Sequence, residues 1–268
     1  MKIVSGKKTK PRRTLLYGVH GIGKSTWAAQ APNCLFLNLE DGLDDIDCQR
    51  TEHIKALQPD ALVSGPSVNE VLIHLATEEH DFKTLAVDSI DWLEGLIHAQ
   101  VARDAGKDSI ADIGFGKGYE AALKYWDDFI LKLDWLRKEK GMQIILLAHS
   151  AIVKHSDPET DSFDRYQPAL HKTASAMLQE WCDEVLFASY RVFVRKEELG
   201  FNKERGIAVG DGERYIRTKE TAACLAKNRL GKDTPAEIGF SWAEYAKWFP
   251  KSDSGVEKVS VSSVQKAG

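Results

Sequence analysis

Short apolar runs alternate with amphipathic stretches along most of this chain. Runs rich in aliphatic side chains at 14–17, 35–39, 84–87 and 143–148 predict buried strands. Apolar residues at helical spacing over 119–136 predict a helix with one face in the core. Because strands that alternate with helices are typical of a parallel sheet with crossover helices, the pattern predicts an α/β fold with a mainly parallel central sheet flanked by helices.

The second half of the chain carries shorter strand-like pieces, at 184–194 and 207–226, with turn signals such as GDGE. These pieces predict that the sheet continues with antiparallel strands or a hairpin. The polar, basic residues 1–13 and the Ser- and Lys-rich residues 251–268 predict flexible tails. We therefore expect one folded domain over 14–250.

Composition and charge narrow the class of protein. With 43% hydrophobic and 28% charged residues, the chain is typical of a folded, soluble protein. Its net charge of −4 excludes a uniformly basic nucleic-acid coat but leaves room for a local basic groove. No signal peptide or apolar run of membrane-spanning length is visible, so we expect a cytoplasmic protein without a membrane partner. Cys34, Cys48, Cys182 and Cys224 show no paired spacing, which argues against a zinc site or a disulfide framework.

The strongest motif is GVHGIGKST at 18–26, which fits GxxxxGK[ST] and stands between an apolar run and a helical pattern. Glycines let the backbone turn its N–H groups toward phosphates, Lys24 supplies positive charge, and the hydroxyl of Ser25 can bind Mg²⁺. The alternative is a glycine turn without a ligand. We predict an ATP site with Mg²⁺ that comprises Gly18, Gly21, Ile22, Gly23, Lys24, Ser25 and Thr26.

Two carboxylates stand at the ends of other predicted strands. Asp88 in TLAVDS is the candidate metal ligand together with Ser25, although it is equally placed to cap the next helix. Glu40 in LFLNLEDG is the candidate base for the attacking water, and Asp41 is the neighbouring alternative. A solvated turn carboxylate remains the other interpretation of Glu40.

The series GVHGIGKST, LFLNLEDGLD, TLAVDS, IILLAHS and AKNRLG resembles the RecA-type recombinase superfamily, in which these segments occur in the same order. The resemblance covers about 14–230 and implies a RecA-like P-loop NTPase core. Within that superfamily the chain is most similar to the short RecA-core single-strand annealing proteins or recombinases of phages.

The resemblance implies a role for several catalytic residues. Glu40 matches the catalytic base and Asp88 the Walker B aspartate. His149 stands where RecA has a glutamine that senses the γ-phosphate. Lys227 and Arg229 resemble a basic pair that reaches the nucleotide of a neighbouring protomer.

The resemblance also implies two loops that contact DNA, here 104–117 and 150–168. Both combine positive charge with aromatic rings, the mixture that single-strand binding uses. The candidate contact residues are Lys107, Phe115, Lys117, Lys154, Arg165 and Tyr166. Acidic residues in the second loop favour the alternative of two ordinary surface loops. The basic cluster within 1–13 is a further candidate for phosphate contact, or a solvated tail.

Together these features predict a Mg²⁺-dependent ATPase that binds single-stranded DNA and promotes annealing or strand exchange in homologous recombination. Its expected partners are single-stranded DNA, further copies of itself in a ring or filament with ATP at the interface, and a single-strand-binding protein. A phage-encoded protein would act in the host cytoplasm. Two alternatives stay open: a hexameric helicase-type motor or helicase loader, and an ATP-switched interaction protein that does not bind DNA.

Overall fold

A nine-stranded sheet organises the part of the chain described by the structure, a computed structural model that covers residues 10–198, 204–210 and 212–249. The strands are β1 (Arg13–Gly18), β2 (Cys34–Asn38), β3 (Gln49–Arg50), β4 (Thr84–Asp88), β5 (Gln143–His155), β6 (Phe163–Pro168), β7 (Glu184–Tyr190), β10 (Arg214–Arg217) and β11 (Glu237–Gly239). A separate antiparallel pair is formed by β8 (Phe193–Glu198) and β9 (Glu204–Val209).

Helices surround this sheet. They are α1 (Lys24–Ala29), α2 (Val68–Thr77), α3 (Ile90–Asp104), α4 (Lys117–Glu139), α5 (Lys172–Trp181) and α6 (Trp242–Ala246), with short 3₁₀ turns at Ile110–Asp112 and Gly114–Gly116. Two core clusters result, one on each face of the sheet. Side chains of α2, α3 and α4 pack in the first, and α1 and α6 supply Trp27, Trp242 and Tyr245 to the second.

The sheet order is β11-β10-β7-β1-β5-β4-β2-β3. From β7 to β3 every neighbouring pair is parallel, whereas β10 and β11 are antiparallel. The predicted α/β fold with a mainly parallel sheet and an antiparallel extension is therefore confirmed. One detail differs, because β7, predicted within the extension, pairs with β1 in parallel.

The strand register brings the carboxyl ends of four strands to one edge. Gly18 of β1 pairs with His149 of β5, and Asp88 of β4 pairs with Asn38 of β2. Open α/β sheets bind ligands at this edge. The candidate residues that follow these strands consequently meet there.

The amino-terminal boundary differs from the prediction. Arg13 belongs to β1, and the side chains of Arg12 and Arg13 form ion pairs with Glu184 and Asp183 respectively. These two arginines are thus fixed to the folded domain instead of belonging to a basic tail. Residues 1–9 and the predicted carboxyl-terminal tail at 251–268 lie outside the described residues.

The segment 150–168, expected to be a loop, is largely a β-hairpin. β5 continues past His149 to His155 and pairs antiparallel with β6, so that Ser150 faces Pro168 and His155 faces Phe163. Its chain reversal contains the turn formers Asp157 and Pro158. The hairpin projects from the same edge of the sheet as the P-loop.

The first expected DNA loop, 104–117, connects two helices that run side by side. The ring of His98 contacts Tyr119, and the hydroxyl of Tyr125 donates to Asp104. Because both contacts join residues with the same offset in sequence, α3 and α4 run in the same direction, and the connecting segment returns along the flank of α3.

No helix among the described residues combines the length and apolarity needed to cross a membrane.

Candidate nucleotide site

The P-loop connects β1 to α1 and owes its shape to its glycines. Gly23 has φ of 98°, a conformation that side chains with a Cβ disfavour. A Cβ on Gly18 would lie 2.5 Å from the carbonyl oxygen of Ala188, so β1 and β7 approach too closely for any larger residue. Ile22 is fully buried and anchors the loop in the core. The loop is therefore held in one conformation by its neighbours.

Lys24 begins α1 with its side chain buried under the loop. Its ammonium donates to the carbonyl oxygens of Gly18 and Val19, each at 3.3 Å. Burial lowers the pKa of Lys24, while the negative charges of Glu40 and Asp88 act in the opposite direction. The ammonium group of Lys24 thus lies between the P-loop and the carboxylates of Glu40 and Asp88, where a phosphate would contact it.

Ser25 and Asp88 are in direct contact across the site. The Ser25 hydroxyl donates to Oδ2 of Asp88 at 2.5 Å. Asp88 is 4% exposed, and burial raises its pKa although the hydrogen bond from Ser25 opposes the shift. A hydroxyl and a carboxylate side by side fit Mg²⁺, which typically takes one or two protein oxygens and completes its shell with water and substrate phosphates.

Glu40 follows β2 and lines the same cavity. This cavity has a volume of about 220 Å³ and is bordered by Gly21, Gly23, Lys24, Ser25, Thr26, Glu40, Gly42, Ile46, Asp88 and His149. The backbone N–H of Glu40 donates to the carbonyl of Asp88, which joins the ends of β2 and β4. Asp41, with φ of 60°, pairs instead with His53 at 3.3 Å. Of the two neighbouring carboxylates, only Glu40 borders the cavity.

His149 ends the parallel part of β5 and closes the site. Its Nε2 lies 3.6 Å from Oε1 of Glu40, and its Nδ1 lies 2.8 Å from Oδ2 of Asp91. The ring of His20, in the P-loop, stacks on the His149 ring at 3.8 Å between centroids. The sequence prediction named His149 but not Asp91, whose place two residues into α3 carries no motif.

The antiparallel extension supports the P-loop from the other side. Arg214 of β10 donates from Nη1 to the carbonyl of Ile22 at 2.9 Å, and its guanidinium lies over the ring of Phe240. The hydroxyl of Tyr190 on β7 donates to the carbonyl of Gly21 at 3.4 Å. Sequence reasoning missed these contacts because they join residues 169 and 192 positions apart, and no local signal indicates them.

Lys227 and Arg229 lie toward the opposite end of the sheet. Lys227 bridges to Val185, which is at the level of Leu15 in β1, well before the P-loop. Its ammonium donates to backbone carbonyls of Gln179 and Glu180 at the end of α5. Arg229 pairs with Asp183 at 3.2 Å. The two cations, expected to face one target, contact two different ones and do not complete the cavity of their own chain.

The six candidate DNA contacts divide into two groups. Lys107, Phe115, Lys117 and Lys154 are exposed, and Phe115 is fully so. Arg165 is 6% exposed and forms an ion pair with Glu220. The ring of Tyr166 stacks on Phe187 at 4.9 Å between centroids. Arg165 and Tyr166 are less accessible than the other four, because β6 packs their side chains against the domain, and their contact with DNA stays a prediction.

All four cysteines lie within the described residues. Cys34, Cys48, Cys182 and Cys224 are free thiols. Over the described ranges, no group of three or more His, Cys, Asp or Glu side chains is arranged to hold a metal ion. A Mg²⁺ ion held by Ser25 and Asp88 would not require such a group, since Mg²⁺ sites usually combine one or two carboxylates with water and substrate phosphates.

Comparison with known proteins places the chain in a family. No curated protein matches the sequence. A crystal structure of the RadB recombinase is similar over 88% of this chain and 90% of that chain, with 14% sequence identity and a TM-score of 0.43, which is too distant to carry a functional argument. Residues 10–230 match the family described as AAA domain. This match spans the P-loop, both strand-end carboxylates and His149, and the chain therefore belongs to the AAA domain family.

Proposed function

We propose that this protein hydrolyses ATP in a Mg²⁺-dependent reaction at the P-loop edge of its sheet. One observation carries the proposal: Lys24 and Ser25 at the start of α1, Glu40 after β2 and Asp88 at the end of β4 border a single cavity. Phosphoryl transfer depends mainly on positioning and on the stabilisation of charge, and this set of side chains supplies both.

Each side chain has a distinct task in this reaction. The P-loop amides and Lys24 bind the phosphates. Mg²⁺, held by Ser25 and Asp88, would neutralise charge on the β- and γ-phosphates. Glu40 orients a water molecule and accepts its proton as the water oxygen bonds to the γ-phosphorus and the bond to the bridging oxygen breaks. His149 lies beside Glu40, where it contacts the terminal phosphate.

Replacement of each of the two neighbouring carboxylates by its amide tests this assignment. We expect Glu40→Gln to bind ATP normally and to lose turnover by about 10²- to 10⁴-fold, because the amide keeps the shape but cannot accept the proton. Asp41→Asn is the matched control and should retain turnover, since Asp41 pairs with His53 outside the cavity. Phosphate release and binding of a fluorescent ATP analogue measure the two effects. The opposite pattern would reject Glu40 as the base.

We propose further that the protein binds single-stranded DNA and acts in annealing or strand exchange. Support comes from four exposed residues in the segments 104–117 and 150–168, the cations Lys107, Lys117 and Lys154 and the ring of Phe115. Cations that contact the backbone and rings that stack on bases give sequence-independent binding. These four are the members of the six candidates that are exposed in the structure.

Binding of a labelled oligonucleotide tests the DNA proposal. We expect Lys117→Ala with Lys154→Ala to weaken binding and to reduce the slope of log K against log salt, by about 0.7 for each lost phosphate contact. Lys55→Ala, an exposed lysine outside both segments, should bind as the wild type does. Identical affinities and slopes for all three proteins would move the site elsewhere.

A second candidate is an ATP-switched interaction protein that does not bind DNA. The burial of Arg165 and the stacking of the Tyr166 ring on Phe187 favour it, as do the acidic residues near the tip of the β5–β6 hairpin, Asp157, Glu159 and Asp161. Such a tip repels a polyanion. Absence of oligonucleotide binding at low salt, with and without ATP, would select this candidate.

A further inference from the structure

Asp91, in the first turn of α3, holds His149 at two points. Its Oδ1 accepts a hydrogen bond from the backbone N–H of His149 at 3.0 Å, and its Oδ2 lies 2.8 Å from the ring Nδ1. The side chains of Asp91 and His149 are 17% and 9% exposed. A single carboxylate therefore fixes both the backbone position and the ring orientation of His149.

The ionisation state of Asp91 determines which nitrogen of the His149 ring carries a proton. Burial would raise the pKa of Asp91, but the hydrogen bonds from the His149 ring and backbone outweigh it and hold this pKa below its usual range. An ionised carboxylate only accepts hydrogen bonds, so Nδ1 of His149 is the donor in this contact. Nε2 is then the atom that faces the cavity, 3.6 Å from Oε1 of Glu40.

The face of the His149 ring is restrained as well as its edge. The ring of His20 stacks on it with an interplanar angle of 18°. His149 thus lies between α3 and the P-loop, and rotation about its side-chain torsions would break the contact with Asp91 or the stack with His20. A ring that is fixed before substrate binds loses less freedom when it meets the transition state.

We propose that Asp91 is a positioning residue for ATP hydrolysis, which holds the His149 ring against His20 so that Nε2 stays beside Glu40 and the terminal phosphate. The inference rests on the proposed ATPase function. It adds a residue from α3 to the site. It also explains how His149 can act at a position where a glutamine amide would need no orienting partner. Asp91 acts through His149 and does not contact the phosphate.

A double-mutant cycle tests whether Asp91 acts through His149. We expect Asp91→Asn to reduce kcat by about 10- to 100-fold, the usual cost of losing an orienting partner, with little change in KM for ATP. In a His149→Gln background, the same substitution should change kcat by less than about twofold, because a glutamine amide has no Nδ1 to orient. Equal losses of kcat in both backgrounds would overturn the proposal. Asp91 would then act only by stabilising the first turn of α3.

Nitrogen NMR of the His149 ring gives a readout that does not depend on activity. The wild type should show a protonated Nδ1, and Asp91→Asn should abolish this preference while thermal unfolding shows an intact fold. An unprotonated Nδ1 in the wild type would overturn the proposal even if His149→Gln is too slow to assay. Wild-type protein with no ATP turnover would instead reject the proposed function, so the two failures are distinguishable.

Discussion

The two ends of the parallel sheet are both rich in charge, yet their charges are arranged differently. At the carboxyl ends of the strands, Lys24, Glu40 and Asp88 border an open cavity. At the amino ends, Arg12 pairs with Glu184 and Arg13 with Asp183. One end presents charge to a ligand, and the other neutralises charge within the protein.

The amino-terminal end is a closed ionic network. Asp183 receives contacts from Arg13, Arg137 and Arg229 at 3.0 to 3.4 Å. Burial would raise the pKa of Asp183, but the hydrogen bond and charge of Arg13, together with Arg137, lower it overall. Glu184, which is fully buried, accepts hydrogen bonds from Arg12, Thr14 and Tyr245. This end therefore contributes to the structure of the domain.

The difference shows that the number of charged residues does not by itself mark a site. Buried charges need partners, and the amino-terminal end provides them within the chain. At the carboxyl end, the charges of Glu40 and Asp88 act on Lys24, the cation of the same cavity, and all three side chains border that open space. Substitution at each end should accordingly affect different properties.

The largest effect on activity is expected at the P-loop. Lys24→Ala should reduce ATP turnover by about 10³-fold or more and weaken nucleotide binding, because no neighbouring cation of the described cavity replaces the ammonium. Circular dichroism should show a native fold. Phosphate release at saturating ATP measures the effect, and a wild-type rate would contradict the assignment of the phosphate site.

At the opposite end, the largest effect is expected on stability. Glu184→Gln should lower the free energy of unfolding by about 3 kcal/mol, since it leaves the largely buried Arg12 guanidinium without its countercharge. Asp128→Asn, which breaks the solvent-exposed pair with Lys132, is the matched control and should cost less than about 1 kcal/mol. Denaturant unfolding compares the two. Similar losses for both variants would mean that the network adds no stability beyond a surface pair.

The smallest effect on the stability of a single chain is expected from substitution of Arg229. Its side chain is 58% exposed, so Arg229→Ala should cost less than about 1 kcal/mol of stability. We propose that Arg229 and Lys227 act on the nucleotide of a neighbouring protomer, and the variant should then lose cooperative ATPase. Addition of the Lys24→Ala variant should restore part of the activity, because each chain supplies what the other lacks. Turnover that is first order in protein, without recovery on mixing, would contradict assembly through this pair.

Local motifs predicted one end of the sheet and not the other. The P-loop spacing, and carboxylates placed directly after apolar strands, were sufficient to find Lys24, Asp88 and Glu40, because parallel strands bring their carboxyl ends together. Asp183 and Glu184 pair with Arg13 and Arg12 some 170 positions away. Such pairs depend on the strand order, which the sequence pattern does not specify.

The same limit applies to the candidate DNA contacts. Charge and aromatic content identified Arg165 and Tyr166, but β6 pairs with β5 and its side chains meet Phe187 and Glu220, which lie far along the chain. The resemblance implied a loop at 150–168, whereas β5 and β6 pair there as a hairpin with a short turn at its tip. Tertiary contacts therefore decide which side chains of β6 pack against the domain.

The most direct test of the ATP site is a crystal structure with Mg²⁺ and a non-hydrolysable ATP analogue. We predict that the phosphates lie in the P-loop, that Mg²⁺ lies beside Ser25 Oγ and the Asp88 carboxylate, and that the γ-phosphate lies next to Glu40 and His149. Nucleotide bound away from this cavity, or bound there with Glu40 and Asp88 remote from its phosphates, would contradict the account.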